Sequence, residues 1–399
     1  MSSKRQQAHA REPGSELFDM NMMKMPLQQA LWPFIAAFYV AILTACSSTS
    51  ERPKPTELPA LTSLISVRQA WSMRVGEIAF PLTVNVTGDK LTLADSAGAV
   101  MAFNSRTGKE LWRRQLGQGI SAGVGSDGTV ATVVTKTNDL VALEDGAEIW
   151  RNKLSAQTYT APLVAGGRVF VVTADRTVSA YDGKTGRRLW TQQRPGEPLV
   201  LKQGGVLLAV GDTLVLGQGA RLVGLNPGNG TTRWEAPVAS PRGTNDVERL
   251  ADLVGRVSRH GDVVCARAFQ ANVGCVNAVR GNLLWSQPAN GAEGLHGDAE
   301  RVFGTEADGR VIAWNRQDGQ KLWTSERLQY RTLSAPLLLG RSIVIGDGNG
   351  LLHFLSREDG SPLNRLATDG SAISAAPVLA DGTLVVTTRN GGVFGFVPD

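Results

Sequence analysis

Hydrophobic positions in this chain come in short runs separated by polar turns. Val169-Phe170-Val171-Val172 is followed by Ala174-Asp175-Arg176, a second run Thr177-Val178-Ser179-Ala180-Tyr181, and then Asp182-Gly183-Lys184-Thr185-Gly186. Runs rich in β-branched residues and bounded by Gly, Asn and Asp predict short antiparallel strands rather than helices. The same grammar repeats along the chain, marked by a glycine four residues before a tryptophan: Gly108 to Trp112, Gly146 to Trp150, Gly186 to Trp190, Gly230 to Trp234, Gly281 to Trp285 and Gly319 to Trp323. Successive tryptophans are 38, 40, 44, 51 and 38 residues apart. A unit of roughly 40 residues is the period of propeller blades.

The frame glycine suits a hairpin loop whose last residue takes positive φ. The tryptophan, near the start of the last strand of each unit, is expected to pack between neighbouring blades, where one ring buries a large apolar area. A stacking platform for nucleic acid would also repeat aromatics, but one tryptophan per repeat reads as core. Trp71 resembles a last strand with no blade before it, and the strands after Pro377 end without a tryptophan strand. The two halves complete one blade, and such a clasp removes free sheet edges. The tryptophan-strand positions are Trp71, Trp112, Trp150, Trp190, Trp234, Trp285, Trp323 and, by the Gly360 frame, Asn364. The expected fold is therefore all-β: an eight-bladed β-propeller of four-stranded antiparallel blades over 67–399, closed by the N-terminal strand. The long step between Trp234 and Trp285 is read as one blade with an insertion at 239–256, not as two blades; the alternative, if this irregular stretch is misread, is seven blades.

Composition adds little to the fold and more to the location. The chain has 399 residues, 45 of them glycine, with 19% charged residues and a net charge of +5. Without residues 1–45, 37 Lys and Arg stand against 33 Asp and Glu. That balance is too mild to imply nucleic acid. Residues 1–45 read as an upstream extension and signal peptide, with translation expected to start at one of the methionines at 20, 22, 23 and 25. Lys24 supplies the positive start and Leu27 to Ala45 an apolar stretch broken by Gln28, Gln29 and Pro33, too short for a transmembrane helix. The stretch ends in Leu43-Thr44-Ala45-Cys46, which resembles the bacterial lipobox. That resemblance implies cleavage before Cys46 and its lipidation, and Ser47 after it implies sorting to the outer membrane, on its periplasmic face. Several acyl chains would anchor the protein stably. Residues 46–66, with Pro53, Pro55 and Pro59, read as a flexible tether.

Candidate chemistry is sparse. Cys265 and Cys275 flank the centre of a probable hairpin, 263–276, and an oxidising compartment permits a cross-strand disulfide; the plainer alternative is two small buried thiols. His260, His296 and His353 fall in different blades without metal-ligand spacing, so no metal site is expected. No Walker-type loop and no Gly-x-Gly-x-x-Gly opening a helix is found in the sequence. Asp347-Gly348-Asn349-Gly350 faintly resembles a calcium loop but stands where a hairpin turn is required. Two irregular blade-to-blade connections, 194–202 and 239–256, are of one class and in adjacent blades, so they should lie side by side on one face.

Lipobox, proline-bearing tether and eight such blades together resemble the BamB family, lipoprotein subunits of the outer-membrane β-barrel assembly machinery. The likeness covers Cys46 to Asp399. It implies a non-catalytic scaffold without cofactor, a single propeller within a hetero-complex, meeting the POTRA domains of BamA and other subunits of that machinery. In the family a Leu-x-Leu-Arg loop and a downstream Arg-Leu-x-Asp-x-Asp form that surface. Here the first is similar to Leu199-Val200-Leu201-Lys202, and the second to Arg249-Leu250-Ala251-Asp252-Leu253-Val254, which departs at Val254. Leu199, Leu201, Lys202 and Asp252 are the implied partner-binding residues. Lysine keeps the charge of arginine but not its planar fork. Unfolded barrel precursors could also pair with exposed strand edges. The blades also resemble those of quinoprotein dehydrogenases, which as the alternative would imply a periplasmic redox enzyme holding pyrroloquinoline quinone and calcium beside an adjacent cysteine pair; here the cysteines are ten residues apart and the insertions few. A scaffold of some other periplasmic complex is a third reading.

Overall fold

The computed structural model describes residues 53–79, 83–196, 199–240, 244–245, 250–373 and 375–399, and Lys54 to Asp399 form one compact unit. Cys46, the signal peptide and Arg249 lie outside the described residues. Strands pair into eight four-stranded antiparallel sheets. Numbered by blade, they span 85–115 (I), 120–153 (II), 163–193 (III), 207–237 (IV), 253–288 (V), 295–325 (VI), 337–367 (VII) and, for VIII, 378–398 joined by Val67–Arg74. The ring is an eight-bladed propeller. Its core is divided into eight apolar clusters, each drawing buried residues from two neighbouring blades. Cohesion therefore lies between blades as much as within them.

The repeated glycine and tryptophan act on different partners. Within a frame they do not meet. Each tryptophan reaches into the next blade, against the glycine of that blade's frame: Trp71 against Gly108, Trp150 against Gly186, Trp285 against Gly319 and Trp323 against Gly360. The frame glycines hold φ between 69° and 82°, and a Cβ there would strike the incoming indole at 2.5–2.8 Å in those four cases. Five indoles also donate to a carbonyl of the same turn: Trp71 to Ser105, Trp150 to Gly183 and Trp190 to Pro227 at 2.9 Å each, Trp285 to Arg316 at 2.7 Å and Trp323 to Arg357 at 3.1 Å. Trp112 meets a shorter turn, Asp145-Gly146, with both residues at positive φ. Trp234 packs on Gly281, but its indole nitrogen has no acceptor among the described residues.

Val67–Arg74 closes the ring by pairing antiparallel with Gly392–Pro398, Val67 opposite Pro398 and Arg74 opposite Gly392. This seam explains the missing tryptophan. Blade VIII has no third hairpin turn, because its last strand comes from the other end of the chain. The position that would carry a tryptophan, Asn364, has no glycine turn to enter and instead donates to the Ile65 carbonyl at 3.0 Å. The segment expected to be a tether differs from that expectation from Thr56 onward. Thr56 donates to Gln329 O at 3.0 Å and its carbonyl accepts from Arg331 at 2.7 and 3.1 Å. Leu58 joins the cluster between blades VI and VII, and Leu64 donates to Leu363 O at 2.8 Å. Backbone hydrogen bonds and one half-buried leucine tie down a stretch whose composition alone reads as unstructured.

Candidate functional site

In a four-stranded meander the turns between second and third strands emerge on the same face as the connections leading to the next blade. That face carries the described residues of the two connections, 194–196, 199–206, 238–240, 244–245 and 250–252, and the turn Ala174-Asp175-Arg176. Leu199 is 39% exposed. Leu201 is half-buried and Lys202 is exposed. Asp252 holds the connections together: its Oδ2 accepts from the Leu201 amide at 3.0 Å, and its Oδ1 is 4.0 Å from Arg176 Nη2. Arg176 also donates to the Leu199 carbonyl at 3.3 Å. The four implied residues thus come from two blade connections, and the structure brings Leu199, Leu201 and Asp252 together. A shallow pocket of about 80 Å³ opens beside them, lined by Val200, Leu201, Arg176 and Asp252.

Arg176 is the member that sequence reasoning missed. It sits at φ 63° in the turn of blade III. The only signal was its place in a turn of the same face class, one blade removed from Asp252. Val254, where the family motif has an acid, lies in the inner strand Leu253–His260 at 1% exposure and pairs with Arg267. A carboxylate there would be inside the blade, so the departure follows from the register of this strand. Asp252 itself spends much of its acceptor capacity within the chain, which makes it an organiser of the loop as well as a surface charge.

Cys265 and Cys275 stand directly opposite on neighbouring strands of blade V and are joined by a disulfide, both fully buried. Asp347 forms an Asx-type turn, its Oδ1 accepting from the amides of Asn349 and Leu351 at 2.9 Å each. Its Oδ2 faces His353 Nε2 at 2.9 Å and Arg331 at 3.2 Å. Burial would raise this carboxyl, but the His353 bond and the turn amides outweigh it and hold it below the usual range. Both carboxylate oxygens are thereby engaged within the chain, Oδ1 in the turn and Oδ2 on His353 and Arg331.

Architecture and face together define a class: tryptophan-docked propellers that present paired leucines and a tethering ion pair on one open face. The family model for the outer membrane protein assembly factor BamB matches residues 96–325. The chain is 38% identical over 371 residues to that factor from Burkholderia pseudomallei, covering 92% of this chain and 97% of the relative. It is 33% identical over 360 residues to that of Bordetella pertussis, covering 88% and 93%. The crystal structure of BamB from Moraxella catarrhalis superposes with a TM-score of 0.75 at 24% identity, covering 83% of this chain and 99% of that one. Quinohemoprotein alcohol dehydrogenase from Comamonas testosteroni shares the fold at a TM-score of 0.65 and 16% identity, covering 84% and 77%. The chain belongs to the BamB family.

Proposed function

We propose that this propeller is a lipid-anchored scaffold in outer-membrane protein assembly, held to the periplasmic face of that membrane through Cys46 and docking a periplasmic domain of BamA on the face built from 199–202, Arg176 and Asp252. Family membership supports the role in assembly. The observation that carries the docking site is the convergence of Leu199, Leu201 and Asp252 from separate connections, two apolar anchors beside a charge pair. A small apolar centre with a polar rim suits a modest protein interface. The chemistry asked of the site is recognition rather than catalysis: leucine burial for affinity, Lys202 and Arg176 for orientation on an acidic partner surface.

The test is a pull-down of the tagged lipoprotein from solubilised envelopes, comparing wild type with Leu199→Ala/Leu201→Ala. Copurification of BamA with wild type and its loss from a variant of unchanged circular dichroism is the expected result. Absence of BamA from the wild-type eluate would sink the docking assignment. Retention in the variant would move the site elsewhere on the ring. Mass spectrometry of the mature N-terminus checks the anchor: a diacylglyceryl-bearing Cys46 is expected.

A further inference from the structure

The eight inner strands leave an axial cavity of about 810 Å³, within the range of small-molecule sites. Its wall is largely small and aliphatic, as at Gly204, Leu207, Ala292, Ala335 and Val378. Among the described residues lining it, only Arg256, Glu293 and Arg389 are charged. They gather toward the face that carries the docking loops, where Gln203 borders both the shallow pocket and the axial one.

Arg256 dominates this end of the cavity. It rises from the inner strand of blade V and donates to Pro377 O at 3.4 Å, at the entrance to blade VIII. Three blades around an eight-membered ring is nearly a diameter, so the guanidinium lies across the axis. It has five donors, and among the described residues a single long bond engages one of them. It stays exposed to the channel, yet the surrounding protein lowers it to about 10, with no carboxylate contributing a compensating pull. His296 is pushed down to about 3, by burial first and then by the charges of Arg256 and Arg316. Glu293, the one acid in the wall, is raised to about 7 by desolvation and answers to Arg267 rather than Arg256. The cavity thus holds a net positive field, only partly offset by Glu293, beside its aliphatic residues. Arg389 adds a second cation at the rim.

We propose that the axial cavity binds a small organic anion, its carboxylate or phosphate group on Arg256 and Arg389 and its apolar body against the aliphatic wall. The fit is chemical: a guanidinium presents paired N–H donors to a planar or tetrahedral anion, and the wall supplies burial. This site is independent of the docking loops and stands whether or not they hold BamA.

The experiment is calorimetric titration of the purified protein at pH 8 and constant ionic strength with benzoate and, separately, with inorganic phosphate. Wild type is expected to bind benzoate saturably. Arg256→Gln is expected to weaken binding by about tenfold or more, the loss of a charge-assisted pair. Glu293→Gln, which removes the nearest negative charge, is expected to tighten it. Equal affinities for the two anions assign recognition to the charged group alone, and tighter benzoate adds the aliphatic wall. The proposal is overturned if neither anion binds, or if Arg256→Gln binds as wild type does. Should Arg256→Gln not fold, the opposite-signed changes expected of Arg389→Gln and Glu293→Gln decide the matter.

Discussion

Single side chains in this ring can be ranked by what a small change would strike. Gly319 and Gly340 both sit at positive φ, 74° and 57°, but a Cβ on Gly319 would lie 2.5 Å from the Trp285 ring, whereas Gly340 faces open space. Gly340→Ala should cost about 1 kcal/mol through backbone strain alone, and Gly319→Ala about 2–4 kcal/mol because the indole must also move. Urea midpoints compared between the two separate these effects; equal losses would remove the packing role given to the frame glycine. Glu293 makes a pH-dependent case. Its carboxyl is raised from 4.5 to about 7 in the fold. Between those values the folded state keeps a proton that the unfolded chain has released, so its contribution is fully present at low pH and is lost as pH rises through about 7. Glu293→Gln should therefore be more stable than wild type at pH 8, by about 1–3 kcal/mol, and converge with it below pH 4.5. The comparison of variant with wild type cancels the opposite trend of His296. A variant no more stable at pH 8 than wild type would mean that the carboxylate is solvated in the channel.

At the level of strands and loops, repetition made the blades readable while local exceptions were not. Every glycine-tryptophan frame announced a hairpin and its last strand, and the loss of tryptophan at Asn364 marked the right place before its cause was visible. That cause is three-dimensional: the receiving turn does not exist in a blade assembled from both ends. Arg176 escaped notice because its partners, Leu199 and Asp252, belong to other connections, and an arginine in a turn carries no mark of them. The strap 56–65 was hidden for a different reason. Its hold on the ring is mostly through main-chain groups, which leave no hydrophobic period. Leu58→Asp should free it, so that the amides of Thr56 and Leu64 lose protection in hydrogen exchange while the blade amides keep theirs. Unchanged protection at both would show that Leu58 is not its anchor. In blade V the disulfide links strands ten residues apart in sequence. Cys275→Ala should cost about 2–3 kcal/mol relative to the oxidised protein, and reductant should bring wild type down by a similar amount in the same urea titration.

For the whole molecule, stability is a property of a closed circuit. Removal of Val67–Arg74 takes away both the outer strand of blade VIII and the Trp71 that enters blade I. Such a truncation is expected to lower the unfolding midpoint of the entire ring and to expose the edge Gly392–Pro398, readable as self-association in light scattering. A truncated ring that stayed monomeric and equally stable would show that closure is dispensable. The propeller and its closure were legible from spacing, and membership of the family from its resemblance; the proposed docking face was legible as two irregular connections and, through that resemblance, as four of its residues, and the axial arginine not at all, since its meaning depends on a carbonyl three blades away. One consequence of the tryptophan-to-glycine contact concerns how such a chain could arise. Each repeat carries a plug for its successor and a socket for its predecessor. A duplicated repeat therefore arrives already compatible with both neighbours, and copies can be gained or lost by whole units without compensating mutation. Only the unit cut by the chain ends, blade VIII, lacks a socket, and the plug of the unit before it has been free to drift to asparagine at position 364.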